Sequence, residues 1–145
     1  MNEIRRSALL PYSAATIYRL INDIEAYPQY MDGCVGAEVL QRSDEAMEAR
    51  LDLSRAGINF SFITRNTLVE GRSVSLSLVD GPFDDFRGEW TLLVLAEDAC
   101  KVSLHLRFTL SNSLMNVATR QLFNSVANNL VDALVKRANE QYERK

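Results

Sequence analysis

The stretch FITRNTLVEGRSVSLSLVDGPFDDFRGEWTLLVLAEDACKVSLHLRFTL, residues 62–110, decides the fold. Apolar side chains fall at alternate positions along it: Val74, Leu76 and Leu78; Phe86, Trp90, Leu92 and Val94; Val102, Leu104, Leu106, Phe108 and Leu110. A period of two belongs to half-buried strands. EGRS (70–73), DGPFDD (80–85) and AEDA (96–99) interrupt the runs, and their Gly, Pro and acidic residues read as turns. Moving toward the N-terminus, RAGIN (55–59) and SDE (43–45) break the same alternation, which takes in Leu51 and Leu53, then Ile58, Phe60 and Phe62, and reaches back to Gly33. Six consecutive strands result. Their turn signals are too closely spaced for helical crossovers, so the pattern predicts an antiparallel meander. The alternate face is wet, with Arg50, Asp52, Asn59, Ser61, Arg65, Arg87, Glu89, Thr91, Ser103, His105 and Arg107. Such a sheet needs one covering layer.

The flanks supply it. Ile4, Arg6, Ala8 and Leu10 form a first strand that Pro11 stops. Ser13 has the character of an N-cap, Tyr12 and Ile17 have staple spacing, and Ile17, Leu20, Ile21 and Ile24 repeat at helical period until a break near Asp23. IEAYPQYM (24–31) continues as a second short helical turn or an irregular segment around Pro28. Beyond the cap candidates Ser111, Asn112 and Ser113 no Gly or Pro occurs, which predicts one helix of about thirty residues. Phe123, Val126, Ala127, Leu130, Val131, Ala133, Leu134, Val135 and Ala138 occupy an arc of roughly 200° on its wheel. That arc is wider than a flat sheet can cover, so the sheet must curl around the helix. The expected class is α+β: one domain over 1–145, with a curved antiparallel sheet of about seven strands wrapped around a long C-terminal helix and two short helices after the first strand.

Composition narrows the function. With 145 residues, 47% hydrophobic and 24% charged, six Gly and three Pro, the chain has ordinary globular usage and the size of one domain. A net charge of −3 disfavours a surface that binds DNA or RNA generically through counterion release. The N-terminus MNEIRRSALLPYS lacks the apolar region of a secretory signal, and no run approaches the roughly 18 apolar residues of a spanning helix. Cys34 and Cys100 are isolated thiols without metal-site or disulfide spacing, so a soluble protein of the reducing cytoplasm is expected.

Catalytic machinery is not visible. His105 is the sole histidine, sits on the wet face and has no sequence-placed nucleophile or second ligand beside it. The pairs Asp84/Asp85 and Glu97/Asp98 lie in turns, where acidic residues serve turn geometry. No metal site or nucleophile motif occurs. DGPF (80–83) differs, because Gly and Pro force a sharp turn that presents Phe83 at a loop tip. That ring either folds back on the core or forms a lid at the mouth of a cavity. Trp90, Tyr27, Tyr30 and Met31 carry the same two readings, core or cavity wall.

YSAATIYRLINDIEAYPQYMDGC (12–34), LVDGPFDDFRGEWTL (78–92) and ACKVSLHLRFTLSNSLM (99–115), taken in this order, resemble the START-like helix-grip superfamily of polyketide cyclases, and within it the coenzyme Q-binding START subfamily. RSALLPYS, SRAGINFSFITRN and VKRANEQYERK look most like its bacterial branch, the ribosome association toxins. The acidic DDFRGE after the GPF turn departs from what a membrane-docking mouth prefers, so at most peripheral membrane contact is expected. The resemblance implies a non-enzymatic protein that requires no cofactor and holds an isoprenoid quinone such as ubiquinone, or a related lipid, between sheet and long helix. Each buried methylene contributes about 0.8 kcal/mol. Phe83 at the mouth, Trp90 on the sheet, Val126, Leu130 and Leu134 on the helix, and Tyr30 and Met31 as a lid are the expected ligand residues. The alternative implied by the toxin branch is binding to the large ribosomal subunit that blocks subunit association. For that, Arg65, Arg87, Lys101, Arg107 and His105 on the outer sheet face are the candidate contacts, against the plain reading of a solvated mixed-charge face.

Overall fold

The computed structural model describes residues 2–111 and 117–142. Strand β1 (Asn2–Leu10) is followed by α1 (Ala14–Asn22) and a 3-10 helix (Ile24–Gln29). Six strands then run in succession: β2 (Cys34–Arg42), β3 (Ala46–Arg55), β4 (Ile58–Val69), β5 (Ser73–Asp80), β6 (Phe83–Ala96) and β7 (Ala99–Leu110). The chain closes with α2 (Val117–Tyr142). The sheet order is β1-β7-β6-β5-β4-β3-β2, and every pairing is antiparallel. This is the helix-grip arrangement.

Local chemistry explains the boundaries. Ser13 is extended and its hydroxyl accepts from the Thr16 amide at 3.1 Å, so α1 starts where an N-cap satisfies an otherwise orphaned donor. The β3–β4 turn is only Ala56 and Gly57, both at positive φ (52° and 85°), which is the geometry whose twist matches a tight hairpin. The other residues of RAGIN belong to the strands, so β3 and β4 run closer to their turn than the five-residue breaker suggests. The cap candidates Asn112 and Ser113 lie outside the described residues.

The grip is visible in its cross-links. Arg6 on β1 donates to Asn128 Oδ1 at 2.8 Å, and Arg55 on β3 donates to Ser125 Oγ at 3.0 Å. These strands lie toward opposite ends of the sheet order yet reach neighbouring turns of α2, as a curled sheet requires. The helix buries Thr119, Leu122, Phe123, Ala127, Val131, Leu134 and Ala138 fully, while Val126, Leu130, Ala133 and Val135 flank them half-buried. Packed aromatic and aliphatic side chains of this kind each contribute about 1.5–3 kcal/mol. Val94 departs from its expected inward position and is 63% exposed. Beyond Thr91 strand β6 has lost its β5 partner, and a register shift between Val94 and Ala96 ends the alternation. Among the described residues, no helix is long and apolar enough to cross a membrane.

Candidate functional site

Between α2 and the inner face of the sheet lies an internal cavity of about 80 Å³. Tyr27 and Met31 close one side, Phe62, Trp90 and Leu106 form the sheet wall, and Val126 and Leu130 come from α2. A single water needs roughly 10–15 Å³ of such space, whereas an engineered cavity that admits benzene measures about 150 Å³. The void therefore exceeds a water site and is about half of a one-ring site. An isoprenoid chain enters only if wall side chains move outward, and the flexible Met31 is the wall residue best able to do so.

Of the residues singled out in the sequence, Met31, Trp90, Val126 and Leu130 line this cavity, and Tyr30, Phe83 and Leu134 do not. Leu134 is fully buried in the solid core. Tyr30 is no free lid. The Arg137 guanidinium lies 4.9 Å from its ring centroid, Tyr27 meets it edge-on at 5.9 Å, and burial pushes its phenol well above the ordinary range. Phe83 is not at a loop tip either. It opens β6, is 6% exposed, and packs its ring at a steep angle against Phe86 and Phe123 with centroids 5.1 Å away and Phe62 at 5.5 Å. The reason lies one residue before Pro82. Gly81 has φ 152°, and a Cβ there would stand 2.6 Å from the Cβ of Phe62, so the turn hugs the aromatic cluster instead of leaving it.

Sequence reading missed the polar part of the wall. The inner face of β4 reads Phe60, Phe62, Thr64, Asn66, Leu68, and both Thr64 and Asn66 are buried against the cavity. Thr64 Oγ1 donates to Asn66 Oδ1 at 2.8 Å. Asn22, the last residue of α1, joins them: its Nδ2 donates to Tyr18 O at 3.1 Å, while its Oδ1 is buried without a partner. Carrying the alternation of Phe60 and Phe62 two steps further was the available signal. No Asp, Glu, Lys, Arg or His is among the described residues that line the cavity. Its titratable groups are Tyr27, whose hydroxyl donates to Ile21 O, and Cys34, whose thiol burial pushes up to about 11. Neither is poised for acid–base or nucleophilic work at neutral pH. Among the described residues, no group of three His, Cys, Asp or Glu side chains is placed to hold a metal.

The outer face offers a second candidate. Glu3, Arg107, Arg87, Ser77, Arg65 and Glu48 stand in one cross-strand row, each in register with the next. Arg65 is paired with Glu48 at 3.0 Å. Arg87 and Arg107 are exposed, directly opposite each other, and have no ion pair among the described residues. Like charges in register are destabilising. His105 contacts Glu3 at 2.5 Å in the neighbouring row. Lys101 is not part of this row. It is in register with Leu9 and Leu93, six residues along β7 from Arg107, about 20 Å away at strand rise.

The family described as "Polyketide cyclase / dehydrase and lipid transport" matches residues 10–135. The persistence and stress-resistance toxin PasT of Escherichia coli O6:H1 is 43% identical over 142 residues, covering 98% of this chain and 90% of that protein. The ribosome association toxin RatA of Vibrio cholerae is 42% identical over 142 residues, covering 98% of this chain and 99% of the relative. Among solved structures, a START superfamily protein of Mycobacterium smegmatis superposes with a TM-score of 0.77 at 22% identity, covering 95% of this chain and 97% of its own.

Proposed function

The chain belongs to the family of polyketide cyclases, dehydrases and lipid transport proteins, and from that premise we propose that it acts as a ribosome association toxin of the RatA type. In this reading it binds the large ribosomal subunit in the cytoplasm, blocks subunit joining, and performs no chemistry of its own. The observation that carries the reading is 42% identity to a relative of that name along nearly the whole of both chains. The row of Arg65, Arg87 and Arg107 offers it a docking surface. An arginine pair that repels itself in the free protein gains most from phosphate oxygens, which accept bidentate hydrogen bonds and neutralise both charges. The test is co-sedimentation with large subunits. Arg87→Glu combined with Arg107→Glu should reduce the bound fraction at least about tenfold, and wild-type binding should fall steeply with salt. Lys101→Glu, outside the row, should change binding little. Unaltered binding by the double variant would remove the arginine row from the interface.

A second reading rests on a different observation, the void between helix and sheet. The cavity would hold an apolar molecule, in the manner of an isoprenoid quinone or related lipid. Both roles are compatible, because cavity and arginine row occupy opposite faces of the same strands.

A further inference from the structure

We propose that the cavity recognises a compact apolar molecule, about one ring in size, through a single hydroxyl group that donates to Asn22 at the polar end formed with Thr64 and Asn66. The inference rests on the cavity being a ligand site. It begins with the gradient along β4, whose inner face runs from Phe62, in the aromatic cluster with Phe83, Phe86 and Phe123, to Thr64 and Asn66. One end of the cavity is therefore aromatic and the other polar. Asn66 is 2% exposed, and its Oδ1 accepts from Thr64 Oγ1 at 2.8 Å. Asn22 leaves Oδ1 buried and unpaired. A buried acceptor without a partner forgoes a hydrogen bond that a donor on a ligand would restore. A plain core would fill these positions with Leu or Val. A hydroxyl group, which donates, matches the open Asn22 acceptor.

Position supports the same orientation. Asn22 borders both the cavity and a surface groove lined by Tyr18, Asp23, Arg42, Glu70 and Tyr142. Its backbone carbonyl accepts from Arg42 Nη2 at 3.2 Å. Asn66 is in register with Met47, and Met47 lines the same groove. The polar end thus faces the route to solvent, and a ligand enters with its ring leading toward Phe62 and its polar group trailing. The volume bounds the size: about 80 Å³ is about half of a one-ring site, so one ring enters as the wall retreats, and an extended chain needs far more.

Phenol and toluene, nearly equal in shape, test the assignment. Methyl and Trp90 indole NMR shifts, titrated with each, give their affinities for the full chain. Wild type should bind phenol more tightly than toluene, and Asn22→Leu should lower the phenol-to-toluene ratio about tenfold or reverse it, because an unmet polar group is what rejects the apolar analogue. Thr64→Val keeps volume and removes a hydroxyl from the same polar end; it should lower the ratio by less, and it serves if the leucine variant does not fold. Equal binding of both probes, with a ratio that neither variant moves, overturns the polar-group assignment and leaves the cavity a nonspecific apolar site. Absence of shifts with either probe overturns the ligand-site reading itself, and the assignment with it.

Discussion

The two faces of the sheet are made by the same strands and obey different rules. On β4 the side chains of Phe62, Thr64 and Asn66 are buried, while Arg65 between them is exposed; on β6 Phe86 and Trp90 are buried, while Arg87 and Glu89 are exposed. The inner face is constrained by volume, since a close-packed interior registers the loss of a few methylenes. The outer face is held by ion pairs in water, Arg65 with Glu48 at 3.0 Å and Arg50 with Glu38 at 3.2 Å, each worth about 0–1 kcal/mol. Charges outside are therefore free to serve a partner at little cost to folding. Polar groups inside are not, which is why Thr64 and Asn66 are more informative about function than any single outer arginine.

The sharpest way to expose the contrast is to remove Phe123, which meets the rings of Phe60, Phe62, Phe83, Phe86 and Phe108 at 4.7–6.4 Å. Phe123→Ala should cost about 3–5 kcal/mol and lower the melting temperature by on the order of 10 °C. A loss below about 1 kcal/mol, measured by urea unfolding, would mean that the aromatic cluster does not set the inner face. By comparison, the Arg87→Glu and Arg107→Glu changes should leave the melting temperature within a degree or two, because exposed substitutions usually stay within about 0.5 kcal/mol.

A smaller effect separates packing from backbone conformation. Gly81 and Gly57 both have positive φ, yet a Cβ at Gly81 would strike Phe62, while one at Gly57 meets nothing within 4 Å. Gly57→Ala should cost about 1 kcal/mol from backbone strain alone, and Gly81→Ala about 1–3 kcal/mol more from the clash. Equal losses in thermal unfolding would show that the GPF turn is not pressed against the aromatic cluster.

This difference between faces also governs what could be read from the sequence. Six meander strands, the first strand, the Ser13 cap and the long helix were legible because each rests on a local period or a local hydrogen bond. Phe83 was not, since the direction of a ring after Gly-Pro depends on Phe62 twenty-one residues earlier, a contact that no local pattern encodes. Tyr30 depends on Arg137 in the same way. Thr64 and Asn66 were within reach of the alternation but are polar, and polar residues in a strand read as surface until the register is known. The outer arginines lie on the face that the alternation assigns to them. Their alignment in one row follows from pairing register alone, and register is also what separates Lys101 from them.

The smallest effect belongs to the edge of the outer face. Glu3 Oε2 lies 2.5 Å from His105 Nε2 and 3.0 Å from Arg5 Nη2. The hydrogen bond from His105, followed by that from Arg5, holds the Glu3 carboxyl below its ordinary value of 4.5. A group whose pKa is depressed by folding stabilises the native state fully above its unfolded pKa and loses that contribution as the pH falls through the folded value. Wild type should therefore melt slightly higher than Glu3→Gln at pH 6–7, and the two curves should converge well below pH 4.5. Because the carboxylate is solvent-exposed, salt should shrink the gap as well. A difference that stays constant with pH, or grows as the solution is acidified, would show that this cluster does not keep Glu3 ionised. The stability of the β1 edge would then come from its ladder with β7 alone.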